Sequence, residues 1–124
     1  MRYSLADRIA LQASAPAELS WLRTEAGRPS SSPNRRRPVL VLTRQEIIDH
    51  LTSVTVAPIT STLRGIPTEV VVGTECGLKH RSAINLDNLA TVPREGLRGY
   101  VGRVTPEILH QVRESLLFAL GYDS

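Results

Sequence analysis

Three consecutive arginines, Arg35, Arg36 and Arg37, stand directly before Pro38 and a short aliphatic run. Three consecutive hydroxyl residues, Thr60, Ser61 and Thr62, close a β-branched stretch further on. A guanidinium is planar, stays charged at any accessible pH, and its fork matches two phosphate oxygens at once. A threonine hydroxyl can donate to a phosphate oxygen or hold a water. Together these side chains suit the stabilisation of negative charge building on a phosphate. Pro38 fixes the backbone where Arg37 enters the following strand, which singles Arg37 out. On the residues alone, a solvated arginine of a basic run is the favoured reading of Arg37, and Thr60 can be an ordinary strand threonine. Arg64 follows in a turn, as a surface charge or an anion contact. Asp87 and Asn88 can hydrogen-bond, cap or turn the chain.

Other reactive side chains are sparse. The three histidines, His50, His80 and His110, are scattered and make no metal-ligand pattern. His80 lies between Lys79 and Arg81 in a basic loop; His50 ends an expected helix, where a cation favours the dipole. The single cysteine, Cys76, rules out an internal disulfide and a cysteine-rich zinc site, and reads as a loop thiol in a reducing cytosol. No metal or other cofactor is expected. Residues 1–37 carry seven arginines against three acids, a charge of +4, and residues 38–124 carry eight basic against nine acidic residues, −1. A polyanion-binding surface must therefore be a local patch. No apolar run is long enough for a bilayer, and Asp7 and Arg8 interrupt any signal-peptide core. The expectation is a cytoplasmic protein without a membrane contact.

The elements that must position these groups are short. Residues 38–42 (PVLVL) read as a buried strand. Thr43 and Glu46 form a capping box for a short helix over 44–51, with Ile47, Ile48 and Leu51 on one face. Ser53–Thr60 alternates as a strand in which Pro58 argues for an edge or a bulge. Further strands are expected at Thr68–Val72, Ser82–Leu86, Leu89–Val92 and Leu97–Val104, with a polar loop over 73–81. Thr105, Pro106 and Gly121 bracket a C-terminal helix with Ile108, Leu109, Val112, Leu116 and Leu120 at helical spacing. Residues 1–34 differ. A short helix over 4–13, a strand or helix over 18–24, and a Ser/Pro/Arg-rich linker over 27–34 make an atypical, partly disordered or weakly structured segment before a domain at 35–124. The order implies a mainly β fold with helices: a small barrel with a helix across one side.

Arg36-Arg37-Pro38-Val39-Leu40-Val41-Leu42 resembles the RRPvLVL segment of MazF/PemK toxins. Val56–Thr62 is similar to their vAPITs strand, Pro67–Val70 to pTeV, and Gly77-Leu78 with Ser82–Asn88 to the GL…SvillDqi region. Thr91-Val92 and Gly102–Glu107 match the T(v/i) and vGrlsPe elements. The resemblance covers 35–124 in family order. The family's usual first strand, of the type rGdiy.vdl, has no counterpart with its Gly-Asp pair; Ser20-Trp21-Leu22 is the nearest substitute.

The resemblance implies an SH3-like barrel of the CcdB/MazF type, a homodimer, a MazE-like antitoxin partner, and metal-independent, sequence-selective cleavage of single-stranded RNA. RNA can be cut by its own 2′-hydroxyl if an enzyme aligns that oxygen, neutralises the phosphorane and protonates the leaving 5′-oxygen. By resemblance Arg37 and Thr60 hold the catalytic positions. Arg36, Ser61, Thr62, Arg64, His80, Asp87 and Asn88 are the expected RNA contacts. Two other readings follow from the same residues. One is a catalytically impaired member that binds RNA or antitoxin, favoured by the missing strand. The other is a CcdB-like gyrase binder, disfavoured by the Arg37/Thr60 pair.

Overall fold

The computed structural model describes residues 18–23 and 36–123. The helix expected over 4–13 and the linker over 27–34 lie outside the described residues. Seven strands form one curled antiparallel sheet: β1 (Glu18–Arg23), β2 (Arg36–Val41), β3 (Ser53–Thr60), β4 (Glu69–Val72), β5 (Ser82–Asn85), β6 (Ala90–Pro93) and β7 (Leu97–Arg103). The order is β4-β5-β3-β2-β1-β7, with β6 also pairing with β3. Two helices accompany it, α1 (Gln45–Ile48) and α2 (Pro106–Leu120).

The first strand is present. Glu18–Arg23 pairs on one side with β2, Leu19 facing Leu40 and Leu22 facing Arg37, and on the other with β7. Leu19 is fully buried. Of the strand or helix expected over 18–24, the structure shows a strand, which includes Ser20-Trp21-Leu22 and takes the place in the sheet where no first strand had been recognised. The Gly-Asp pair is dispensable here because pairing on both edges and the burial of Leu19 hold the strand.

β3 is the hub. Val56, Ala57 and Pro58 pair with β2; on the other side Ser53–Val56 pair with β6, and Ile59 and Thr60 with β5. Pro58 is thus in a central strand, not at an edge. It falls between Val56 and Ile59, where the ladder passes from β6 to β5, so its missing N–H breaks no pairing to that side.

Alternation along the strands gives each face of the sheet its own apolar cluster. Leu19, Leu40, Ala57, Ile59, Val70 and Ile84 lie on one face, where Ile108 and Val112 of α2 join them. Val39, Val41, Val54 and Val56 lie on the other, with Leu22, Ile48 of α1 and Leu97 packed against them. Burying a Leu or Ile as completely as Leu40 and Ile84 stabilises by about 1.5–3 kcal/mol each.

α2 follows its sequence signals. Thr105 Oγ1 accepts from the Ile108 N–H at 3.2 Å, Pro106 opens the helix, and Gly121 closes it at φ 79°. α1 does not. It covers only four residues, its N-cap is Arg44, and the expected capping box is absent, because Thr43 Oγ1 instead accepts from the Thr55 N–H of β3 at 2.7 Å. The polar loop over 73–81 contains a 3-10 turn at Thr74–Cys76, and Cys76 is a free thiol in that loop, buried against the core. Burial raises its thiol pKa, with hydrogen bonding only partly offsetting the shift. This turn meets β7: a Cβ on Gly102 would lie 1.8 Å from the Cys76 carbonyl oxygen, and one on Gly77 2.4 Å from that of Val101. The sheet curls until its last strand touches the chain leaving β4.

Candidate active site

The register of β2 and β3 puts Arg37 and Thr60 at the same end of the sheet. The β2–β3 pairs run Val41 to Val56, Leu40 to Ala57 and Val39 to Pro58. Continued two residues further, the same register sets Arg37 across from Thr60. Alternation agrees, since Arg37 has the parity of Val39 and Val41, and Thr60 that of Val54 and Val56, all in one facial cluster. Thr60 pairs on its other side with Ala83, and Ala83 with Val71, while Arg37 pairs with Leu22. With that continuation, Leu22, Arg37, Thr60, Ala83 and Val71 fall in one row across five strands, beyond the Val39–Pro58 pair at which the β2–β3 pairing ends.

Arg37 is exposed, and its side chain makes no hydrogen bond or ion pair among the described residues. Thr60 is half-buried, and its Oγ1 accepts from the Thr62 N–H at 3.2 Å. That bond occupies one lone pair of the oxygen and leaves the hydroxyl proton to donate. Ser61 and Thr62 are exposed in the segment beyond. That end of the sheet therefore carries a guanidinium without a partner among the described residues and a hydroxyl free to donate.

The remaining expected residues divide. Arg36 is exposed and, by alternation, projects to the face opposite Arg37; its guanidinium carbon is 5.8 Å from the centroid of the Trp21 ring, and Nη1 donates to the Arg98 carbonyl at 3.4 Å. His80 is exposed in the loop entering β5, and its carbonyl accepts from the Ser82 hydroxyl. Since Ala83 faces Thr60, that loop lies at the same end of the sheet as Arg37. Asn88 is exposed in the turn before β6.

Arg64 and Asp87 are joined to each other rather than to Arg37. Arg64 Nη2 lies 3.2 Å from Asp87 Oδ1 and donates to Asn85 Oδ1 at 3.1 Å; Nε lies 3.6 Å from Glu69 Oε2. Sequence reasoning missed Glu69, whose side chain is 1% exposed. Its carboxylate accepts from the Gly65 N–H at 3.0 Å and from the Arg64 N–H at 3.0 and 3.1 Å. The Gly65 hydrogen bond leads in holding this carboxyl below its ordinary pKa, helped by Arg64 and opposed by desolvation. Glu69 thereby fastens the crossover from β3 to β4, the segment that begins with Ser61 and Thr62. Gly65 takes φ 67° in it, a left-handed value suited to glycine. Asn85 was missed as well; its only signal was a polar residue among the apolar positions of β5. Among the described residues, no three His, Cys, Asp or Glu side chains are grouped to hold a metal ion.

A model of PemK-like, MazF-like toxins of type II toxin–antitoxin systems matches residues 16–120. The chain belongs to this family. The matched span includes β1, so the MazF-family domain begins before the arginine run. Among MazF relatives, the endoribonuclease MazF3 of Mycobacterium tuberculosis is 52% identical over 60 residues, which are 48% of this chain and 58% of that one. The chain thus matches little more than half the length of that relative. The solved M. tuberculosis toxin MazF-mt6 is 35% identical with a TM-score of 0.71, over 88% of this chain and 99% of that one. A mycobacterial endoribonuclease solved in complex with its cognate antitoxin is 26% identical, also with a TM-score of 0.71, over 86% and 94% of the two chains. The expected mainly β, MazF-type fold with a C-terminal helix agrees with these structures.

Proposed function

We propose that this MazF-family chain is a metal-independent, sequence-selective endoribonuclease toxin that cuts single-stranded RNA. The observation that supports the reading is the β2–β3 register, paired as far as Val39 and Pro58, whose continuation by two residues puts Arg37 across from Thr60. Arg37 grips the non-bridging oxygens of the scissile phosphate and stabilises the phosphorane, where its planar fork is worth most. Thr60 donates to one of those oxygens, its own oxygen held by the Thr62 N–H. The substrate's 2′-oxygen attacks phosphorus as the bond to the 5′-oxygen breaks. The 2′-hydroxyl loses a proton and the 5′-oxygen gains one, leaving a 2′,3′-cyclic phosphate and a 5′-hydroxyl. Ser61, Thr62 and His80 line the path of the strand at that end of the sheet. Arg64, tied to Asp87, Asn85 and Glu69, shapes the crossover and meets RNA from its exposed side, while Asn88 offers hydrogen bonds to base edges.

The alternative of a catalytically impaired binding module drew its support from a missing first strand. β1 lies in the sheet between β2 and β7, so that support falls away.

The similarity to an endoribonuclease solved with its cognate antitoxin supports a protein antitoxin as partner. An acidic, apolar antitoxin segment covering the RNA groove would neutralise the arginine-rich end. Leu117, Phe118, Leu120 and Tyr122 leave an exposed apolar surface at the end of α2, available to a second copy in a homodimer. The proposed setting is the cytoplasm. Among the described residues no helix is long and apolar enough to cross a membrane.

Incubation with a long single-stranded RNA in EDTA tests the reading. The expected result is cutting at a short recurring sequence, with cyclic-phosphate ends. Binding without cutting would refute it.

A further inference from the structure

The other side of the arginine run holds an aromatic–cationic group that the cleavage chemistry does not use. Trp21, the chain's one tryptophan, is half-buried in β1 opposite Pro38, one residue before Leu22, the partner of Arg37. Arg36 lies over its ring at 5.8 Å, near the outer limit of a cation–π contact, and its bond to the Arg98 carbonyl is long at 3.4 Å. Both contacts are weak enough to be exchanged for a better partner.

The cation over this ring is uncompensated. Arg36, Arg37 and Arg98 are exposed, and none is in an ion pair among the described residues. Glu18, the acid of the same strand, lies 3.7 Å from Arg103 instead. An aromatic ring with an uncompensated guanidinium over it is a composition that binds single-stranded nucleic acid, the ring stacking a base and the cation taking a phosphate.

We propose that Trp21 is a stacking subsite for a nucleobase flanking the cut linkage, with Arg36 binding the adjoining phosphate. The proposal rests on the RNA-cleavage reading above. A strand whose scissile phosphate lies on Arg37 passes the rim of the sheet, and its next bases meet the Arg36 face, where Trp21 lies.

The test uses the emission of Trp21 in the full chain. A single-stranded 2′-deoxy oligonucleotide lacks the attacking hydroxyl and stays intact, and an abasic strand of equal length keeps the phosphates without the bases. The base-bearing strand should quench or shift the emission and the abasic strand should not. On RNA, Trp21→Ala should lower kcat/KM about tenfold through KM, and Trp21→Phe should restore most of the loss. Equal responses to the two strands, or no response to either, overturn the subsite, and the titration needs no variant to fold. Quenching by the base-bearing strand from a chain that cuts no RNA would sustain the subsite and sink the cleavage reading. Cutting without quenching would do the reverse.

Discussion

Replacing Gly102 with alanine adds one methyl group where β7 crosses the Thr74–Cys76 turn. The added Cβ would stand 1.8 Å from the Cys76 carbonyl oxygen, 2.7 Å from its carbonyl carbon and 3.0 Å from the Gly77 Cα. All three obstacles are backbone, so no rotamer change relieves the overlap. Overpacking that side chains can absorb costs about 1–3 kcal/mol, and a clash that pushes a pair of backbone segments apart belongs at or above the top of that range, about 3 kcal/mol. Since a domain of this size has about 5–15 kcal/mol of stability, the loss is a large share, equivalent to roughly 10 °C or more in Tm. Gly99→Ala is the control: it meets nothing within 4 Å, though its φ of 122° leaves backbone strain of about 1–3 kcal/mol. Urea and thermal unfolding followed by far-UV circular dichroism would compare the two variants. Gly102→Ala should unfold well before Gly99→Ala, with an unchanged m-value. A Gly102→Ala midpoint at or above that of Gly99→Ala would refute the close crossing and the curl it enforces.

Leu19→Ala, which empties a fully buried site in β1, should cost about 2–5 kcal/mol in urea unfolding; a loss below about 1 kcal/mol would place β1 outside the cooperative domain. Glu69 has a depressed folded pKa, so its stabilising contribution is complete above the ordinary carboxylate range and is lost as pH falls through the folded value. The urea-midpoint difference between wild type and Glu69→Gln should therefore shrink on acidification below about pH 4, and a difference independent of pH would contradict the ionised latch under the 61–66 crossover.

Much of the fold could be read from local chemistry. Thr105, Pro106 and Gly121 act on their own turns, so α2 appears where they put it. β1 was ambiguous because Glu18–Arg23 is only six residues long and its conformation is imposed by β2 and β7, remote in sequence. Thr43 misled for a related reason: the same hydroxyl could cap a helix or bond β3, and tertiary pairing won. In the site, Arg37 and Thr60 were identifiable from a resemblance of motifs, but their common row follows from a register no local pattern specifies. Glu69 looked like a strand-end acid. Its role arises only when the crossover folds back and presents two backbone N–H groups to it.

Arg37 and Thr60 acting on one phosphate is the claim on which the account turns. Single-turnover cleavage of a saturating single-stranded RNA in EDTA, by wild type, Arg37→Ala, Thr60→Ala and the double variant, measures it most directly. The account predicts losses of orders of magnitude for Arg37→Ala with the fold and RNA affinity kept, and a double variant less impaired than the product of the single losses, as for groups acting as a unit. An Arg37→Ala enzyme that binds RNA weakly yet cuts bound RNA at the wild-type rate would contradict it.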